Sequence, residues 1–261
     1  MSKMNRLAIH ETAAGDLSPH ELIGLAHRSG FHSVGLRVSH SPGATRWWQK
    51  GAGAEELGIM IDRLLATRIS VLDVGRIDLG AETAESGRNV LDLASRLGAR
   101  HVTAVAPPGL GHAAAQRLFG LLVAQADSYG LVPLLVPQAG TAVDTEDCAL
   151  AIHREVGGGV VLNISAALSA AEVEMQVVDA GNRLGYLRLL AEELDAATEE
   201  ATAGLLATVP AHVPVAVGSL LDPEAARADL DQRAPRWAAL IDRMLEHPRA
   251  RAERFAAATA R

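Results

Sequence analysis

The sequence predicts a single (β/α)₈ barrel over residues 1–261. Short apolar runs rich in β-branched residues recur eight times along the chain. Helical patterns of about 12–20 residues separate these runs, so the repeating unit is one strand followed by one helix. Eight such units in roughly 250 residues are typical of a closed barrel of parallel strands. A doubly wound open sheet is the alternative, although such a sheet usually has fewer strands.

The predicted strands are short and almost continuously apolar, as expected for parallel strands that are covered on both faces. In chain order they are Leu7–His10, Ser33–Arg37, Ile69–Val74, His101–Ala106, Val132–Val136, Gly159–Asn163, Leu184–Leu190 and Val213–Val217. The helices between them have recognisable ends. Residues 18–21, Ser-Pro-His-Glu, form a capping box with proline at the first helical position. Gly30, Gly98 and Gly130 lie where a residue just beyond a helix must take positive φ.

Composition limits the partners that the chain can have. The formal net charge is -7 and the basic residues are scattered singly, which gives no indication of a nucleic-acid groove or a membrane-binding surface. No apolar run approaches the roughly 18 residues of a membrane span, and the first residues lack the apolar stretch of a signal peptide. The single cysteine, Cys148, excludes an internal disulfide and a cysteine-based zinc site. We therefore expect a cytoplasmic protein with a small-molecule substrate, and self-association into a homo-oligomer is left open.

Several stretches are similar to one known family. They are DLSPHELIGLAHRSGFHSVGLR, LLATRISVLDVGRIDL and VLDLASRLGARHV. These segments resemble the xylose-isomerase-like TIM barrels of the sugar phosphate isomerase/epimerase type. The resemblance covers most of the chain and thins after about Ala191. It implies a barrel whose mouth binds a divalent ion such as Mn, Mg or Zn through a Glu on strand five, an Asp on strand six, a His or Gln on strand seven and a Glu on strand eight.

The chain departs from that ligand pattern at every strand. The implied ligand positions fall on Val136 or Gln138, on Asn163, on Tyr186 or Arg188, and on Gly218. An arginine cannot deprotonate to become a ligand, and it places a fixed positive charge where the family binds a cation. We therefore predict a site without metal and no cofactor.

The predicted strand ends instead carry many hydrogen-bond donors, which suit a substrate with oxygens or negative charge. We expect His10 or Glu11 to move a proton, and Arg188 to hold a developing oxyanion. The predicted substrate-binding residues are Arg37, His40, Trp47, Asp73, Arg76, Gln138 and Asn163.

The same side chains have structural alternatives. His10 could be a core or loop histidine, and Glu11 could cap the next helical turn. Arg37 and Asp73 could form a salt bridge across the barrel rim. His40 and Arg76, which are predicted to lie in loops, could be merely solvated, and Trp47 could be a buried loop anchor.

Three functions fit these observations. The first is an isomerase/epimerase- or lyase-type enzyme that acts on a carbonyl- or hydroxyl-bearing, anionic small molecule by acid–base chemistry without metal. The second is a catalytically inactive barrel that serves as a binding or partner subunit, which Val136 and Gly218 favour because they replace carboxylates by groups without polar side chains. The third is a conventional divalent-metal sugar isomerase/epimerase whose ligands lie elsewhere. Endonuclease action on DNA is disfavoured by the net charge.

Overall fold

The eight predicted strands form a closed parallel barrel in chain order, with the last strand paired to the first. The computed structural model describes residues 6–15, 17–38, 54–81, 83–219, 227 and 229–246. The strands are β1 Leu7–His10, β2 Ser33–Arg37, β3 Ser70–Asp78, β4 His101–Val105, β5 Val132–Leu135, β6 Gly159–Ile164, β7 Leu184–Leu190 and β8 Val215–Gly218. The predicted fold class is thereby confirmed.

Five of the predicted strands have different bounds in the structure: β4, β5 and β6 differ by one residue at their ends, and β3 and β8 differ by more. β3 continues to Asp78 instead of ending at Val74, and its pairing with β4 shifts register between Val74 and Ile77. Arg76, which was predicted to lie in a loop, is therefore part of this strand. β8 begins at Val215 instead of Val213, where Pro214 precedes the strand and has no N–H to donate to a ladder.

Eight helices are described outside the barrel. They are α1 Pro19–Ser29, α2 Ala54–Thr67, α3 Thr83–Arg96, α4 His112–Asp127, α5 Glu146–Val156, α6 Ala170–Ala180, α7 Glu199–Ala207 and α8 Leu230–Glu246. The predicted capping box is present, since Ser18 Oγ accepts from the Glu21 N–H and the Glu21 carboxylate accepts from the Ser18 N–H, both at 2.9 Å. Gly30, with φ 85°, ends α1 in the left-handed conformation that was predicted. No helix in the described part of the chain is long and apolar enough to cross a membrane.

The barrel interior is filled by a separate layer of side chains. Those that pack together there are Ala8, Leu72, Val105, Leu134, Val136, Val161, Tyr186 and Ala216. Among the described residues, Tyr186 is the largest side chain that is fully buried. Because successive side chains of a strand alternate between its two faces, the residues two positions beyond Ala8, Val161 and Tyr186 point to the same side and form the next layer. That next layer consists of His10, Asn163 and Arg188, and it lies at the C-terminal ends of the strands.

Candidate active site

A cavity of about 490 Å³ opens at the C-terminal ends of the strands, where (β/α)₈ barrels carry their functional residues. Seven of the predicted site residues line it: His10, Glu11, Arg37, Arg76, Gln138, Asn163 and Arg188. Asp73 lies below the cavity and is fully buried. His40 and Trp47 lie outside the described residues. The barrel topology thus brings together side chains from six strands or strand ends that are far apart in the sequence.

Arg188 is held in place by a chain of polar contacts. It lies opposite Asn163 in the pairing of β6 with β7, and its Nε donates to Asn163 Oδ1 at 2.6 Å. The Asn163 Nδ2 group donates to Glu146 Oε1 at 2.8 Å, and the Asn163 backbone N–H donates to the same oxygen at 3.3 Å. Glu146 is the first residue of α5. The Asn163 amide is bonded to Arg188 through its oxygen and to Glu146 through its nitrogen, so Asn163 holds Arg188 in position.

Gly218 makes room for the Arg188 side chain. A Cβ atom at Gly218 would lie 2.8 Å from Arg188 Cγ and 3.0 Å from Thr12 Oγ1. A glutamate at this strand end would therefore collide with the Arg188 side chain. Arg188 itself is only 5% exposed. Although it lies at the mouth, this arginine is part of the packed interior, because its methylene groups pack over the Gly218 backbone.

The residues at the implied ligand positions do not fit a divalent cation. Asn163 offers its amide oxygen to Arg188, Val136 is apolar, and Gly218 is covered by the arginine side chain. A dehydrated divalent ion needs several oxygen ligands that carry negative charge, and Arg188 would repel it. Within the described ranges, no group of three or more His, Cys, Asp or Glu side chains is arranged to hold a metal ion.

The other two arginines of the cavity are paired with carboxylates. Arg37 donates from Nη2 and Nε to Glu11 Oε1, at 2.9 Å and 3.1 Å. Arg76 donates to Asp78 Oδ1 at 2.9 Å and 3.0 Å. The predicted alternative of an Arg37–Asp73 salt bridge is wrong, because Arg37 forms its salt bridge with Glu11. Among the described residues, Arg188 has only the neutral Asn163 amide as a hydrogen-bond partner.

His10, Asp73 and Tyr186 form a buried group beneath the cavity. His10 Nε2 lies 3.4 Å from Asp73 Oδ2, and the Tyr186 hydroxyl donates to the same oxygen at 3.4 Å. The second oxygen of Asp73 is buried and has no hydrogen-bond partner within the described part of the chain. Burial, followed by the charge of Asp73, raises the pKa of Tyr186 well above its usual value, so this hydroxyl keeps its proton. Asp73 therefore faces His10 from below and does not reach the cavity.

Two residues of the site were missed by the sequence reasoning. Thr12 lines the cavity, and its Oγ1 lies 3.0 Å from His10 Nδ1 and accepts from the Ser219 N–H at 3.2 Å. Glu146 supports Asn163 from the N-terminus of α5. The signal for Thr12 was its position two residues after the end of β1. The signal for Glu146 was its position at a helix start on the mouth side of the barrel.

Comparison with known proteins supports the fold. No family model and no curated protein sequence matches the chain. A xylose isomerase domain containing protein from Salmonella typhimurium LT2 has a TM-score of 0.66 and 14% identity, over 91% of this chain and 97% of that chain. The IolI protein with a bound zinc atom has a TM-score of 0.70 and 14% identity, over 93% and 99%. A D-psicose 3-epimerase studied with D-fructose has a TM-score of 0.69 and 13% identity, over 92% and 99%. The predicted resemblance to xylose-isomerase-like barrels is thus confirmed at the level of the fold.

Proposed function

We propose that this protein is an isomerase/epimerase- or lyase-type enzyme that moves a proton on an anionic small molecule bearing carbonyl and hydroxyl groups. In this proposal Arg188 holds the negative charge that develops on the substrate. The observation that carries the proposal is that Arg188, a buried residue, lines the cavity and has no carboxylate partner among the described residues. The similarity in fold to a D-psicose 3-epimerase and a xylose isomerase domain protein supports the same class of reaction.

An unpaired buried cation is costly unless something compensates it. The penalty for burying an ion without a counter-charge is on the order of several kcal/mol. A carboxylate, phosphate or enolate oxygen at the terminal nitrogens of Arg188 would remove that penalty, and a guanidinium binds such groups with two parallel hydrogen bonds. Because Asn163 already fixes the Nε of Arg188, the donors would need little rearrangement as charge develops on the substrate.

His10 is a better candidate than Glu11 for the proton acceptor of this reaction. Glu11 Oε1 already accepts two N–H groups from Arg37, so this oxygen is engaged in an ion pair. His10 has the buried carboxylate of Asp73 behind its ring, which would stabilise an imidazolium during the reaction. We therefore assign proton transfer to His10 and treat the Glu11–Arg37 pair as part of the cavity wall.

Proton NMR in deuterium oxide tests this function without knowledge of the substrate. The protein is incubated with a panel of sugar phosphates, hydroxy ketones and keto acids. We expect at least one compound to lose a C–H signal or to give new carbonyl products, at a rate that EDTA does not change. His10→Gln and Arg188→Ala should each lower this rate by roughly 100-fold or more, the usual loss for a general base or an oxyanion donor.

The matched control is Arg154→Ala, which removes an arginine from α5 that pairs with Asp179 on the outside of the protein. Its rate should equal that of the parent. If EDTA abolishes the reaction, the protein is a conventional metal enzyme. If no compound reacts and none binds, the inactive binding or partner subunit replaces the proposal.

A further inference from the structure

The hydroxyl of Thr12 contacts His10 at the wall of the cavity, which both residues line. Thr12 belongs to the short turn that follows β1, and the His10 side chain caps this turn by accepting the Thr12 N–H at Nδ1, at 3.3 Å. Thr12 Oγ1 is 3.0 Å from the same ring nitrogen and accepts the Ser219 N–H at 3.2 Å. Thr12 and Ser219 both line the cavity.

These contacts indicate which nitrogen of the neutral His10 ring carries the proton. His10 Nδ1 accepts a backbone N–H, so it carries no hydrogen of its own in this arrangement. The contact between Thr12 Oγ1 and Nδ1 can then be a hydrogen bond only if the threonine hydroxyl is the donor. A neutral imidazole has one protonated nitrogen, so the proton of the ring is on Nε2, which faces Asp73 Oδ2 at 3.4 Å.

The basic nitrogen of His10 is already contacted by the Thr12 N–H and hydroxyl, so a substrate proton has a path to it through that hydroxyl. A hydroxyl oxygen has two lone pairs, and the Ser219 N–H uses only one of them. Arg188 and Thr12 also lie on either side of Gly218, since a Cβ there would be 2.8 Å from Arg188 Cγ and 3.0 Å from Thr12 Oγ1. Both residues line the same cavity, so a ligand bound to Arg188 shares that cavity with the Thr12 hydroxyl.

We propose that Thr12 is a catalytic residue that accepts a hydrogen bond from a substrate hydroxyl and relays that hydroxyl's proton to His10. The inference rests on the function proposed above and adds to it the reacting group, which is an O–H, and the residue that contacts it. A relay of this kind suits an O–H better than a C–H, because the proton moves along hydrogen bonds that already exist. Asp73 and Tyr186 act behind His10 as positioning residues.

The transfer balances without any further reactant. The O–H bond of the substrate breaks and its proton goes to Thr12 Oγ1, while the O–H bond of Thr12 breaks and its proton goes to His10 Nδ1. The electron pair stays on the substrate oxygen, on the side of the cavity where Arg188 lies. The imidazolium that forms has Asp73 at one nitrogen, at 3.4 Å, and Glu11 at 4.0 Å from the other.

The test compares Thr12→Val, which keeps the shape but removes the hydroxyl, with Thr12→Ser, which keeps the hydroxyl. Thr208→Val is the matched control, because Thr208 directly follows α7 and, within the described part of the chain, its hydroxyl bonds only to Leu205 O. Proton–nitrogen correlation NMR on protein with isotope-labelled histidine reports the state of His10 without any ligand. We expect a proton on Nε2 and a hydrogen-bonded Nδ1 in the parent and in Thr12→Ser, and a shifted Nδ1 resonance in Thr12→Val only.

The kinetic readout uses dihydroxyacetone phosphate and the other compounds of the exchange panel. With any compound that reacts, Thr12→Val should lower kcat by roughly 10-fold or more with little change in KM, whereas Thr12→Ser and Thr208→Val should stay close to the parent. A proton on Nδ1 in the parent, an Nδ1 resonance that is the same in Thr12→Val, or a Thr12→Val rate equal to that of the parent would each overturn the relay. If the parent reacts with no compound, the proposed function fails, and the NMR result still decides whether the threonine hydroxyl donates to His10.

Discussion

Replacing Arg188 by methionine should separate ligand binding from stability. Arg188 is 5% exposed as a whole residue, and among the described residues its guanidinium bonds only to the neutral Asn163 amide. Methionine retains the methylene packing over Gly218, and loses one hydrogen bond from a charged donor, worth about 1.5–3 kcal/mol. Removal of an uncompensated buried charge offsets this loss by a similar or larger amount, on the order of several kcal/mol. The free energy of unfolding of Arg188→Met without ligand should therefore stay within about 1 kcal/mol of the parent or increase.

Binding of anions should respond in the opposite direction. Each hydrogen bond from Arg188 to a charged oxygen contributes about 1.5–3 kcal/mol, which corresponds to a roughly 10- to 150-fold weaker Kd when it is lost. Calorimetric titration with inorganic phosphate measures this change, and urea denaturation measures stability. Arg188→Lys, which keeps the charge without the planar fork, should lie between the parent and Arg188→Met. The reasoning is refuted if Arg188→Met binds phosphate as the parent does, or if it loses several kcal/mol of stability.

Two further predictions concern metal content and alkaline stability. Protein purified without chelator should contain no stoichiometric divalent ion by elemental analysis; about one equivalent of Mn, Mg or Zn that disappears on mutation of Asn163 would show that the strand-end positions were misinterpreted. The free energy of unfolding of the parent, relative to Tyr186→Phe, should fall above about pH 10, by up to about 1.4 kcal/mol per pH unit. Unfolded tyrosine ionises there, whereas burial raises the pKa of Tyr186 in the folded protein, so the unfolded state binds fewer protons and gains stability with pH. Urea titrations at neutral and alkaline pH measure this difference, and a difference that does not depend on pH would contradict it.

The strands could be predicted where the apolar runs have clear ends. β1, β2 and β7 begin and end at the predicted residues, because polar or glycine-containing segments flank them. β3 was predicted too short, since Gly75 and Arg76 interrupt its apolar pattern while the backbone continues to pair with β4 after a register shift. A pairing that depends on a neighbouring strand leaves no local signal in the sequence.

The site could be predicted in its location but not in its contacts. A closed parallel barrel brings all strand ends to one mouth, so His10, Arg37 and Arg188 were expected to lie together, and they do. Which side chains pair there depends on distances between elements. Asn163 was expected to face the ligand, but Glu146, the first residue of α5, takes its amide group, and Asp73 lies under His10 instead of in the cavity wall.

The residues at three of the implied ligand positions depend on one another in the way that the proposed binding site for an anion requires. Arg188 needs a residue without a side chain beside it, and Gly218 is such a residue. It also needs an acceptor for its Nε, and Asn163 supplies a neutral one. An aspartate at 163 would hold the guanidinium equally well, but it would neutralise the charge and leave nothing for an anionic ligand to compensate. The amide holds the arginine while its charge remains available, which is the property that a site for an oxyanion requires.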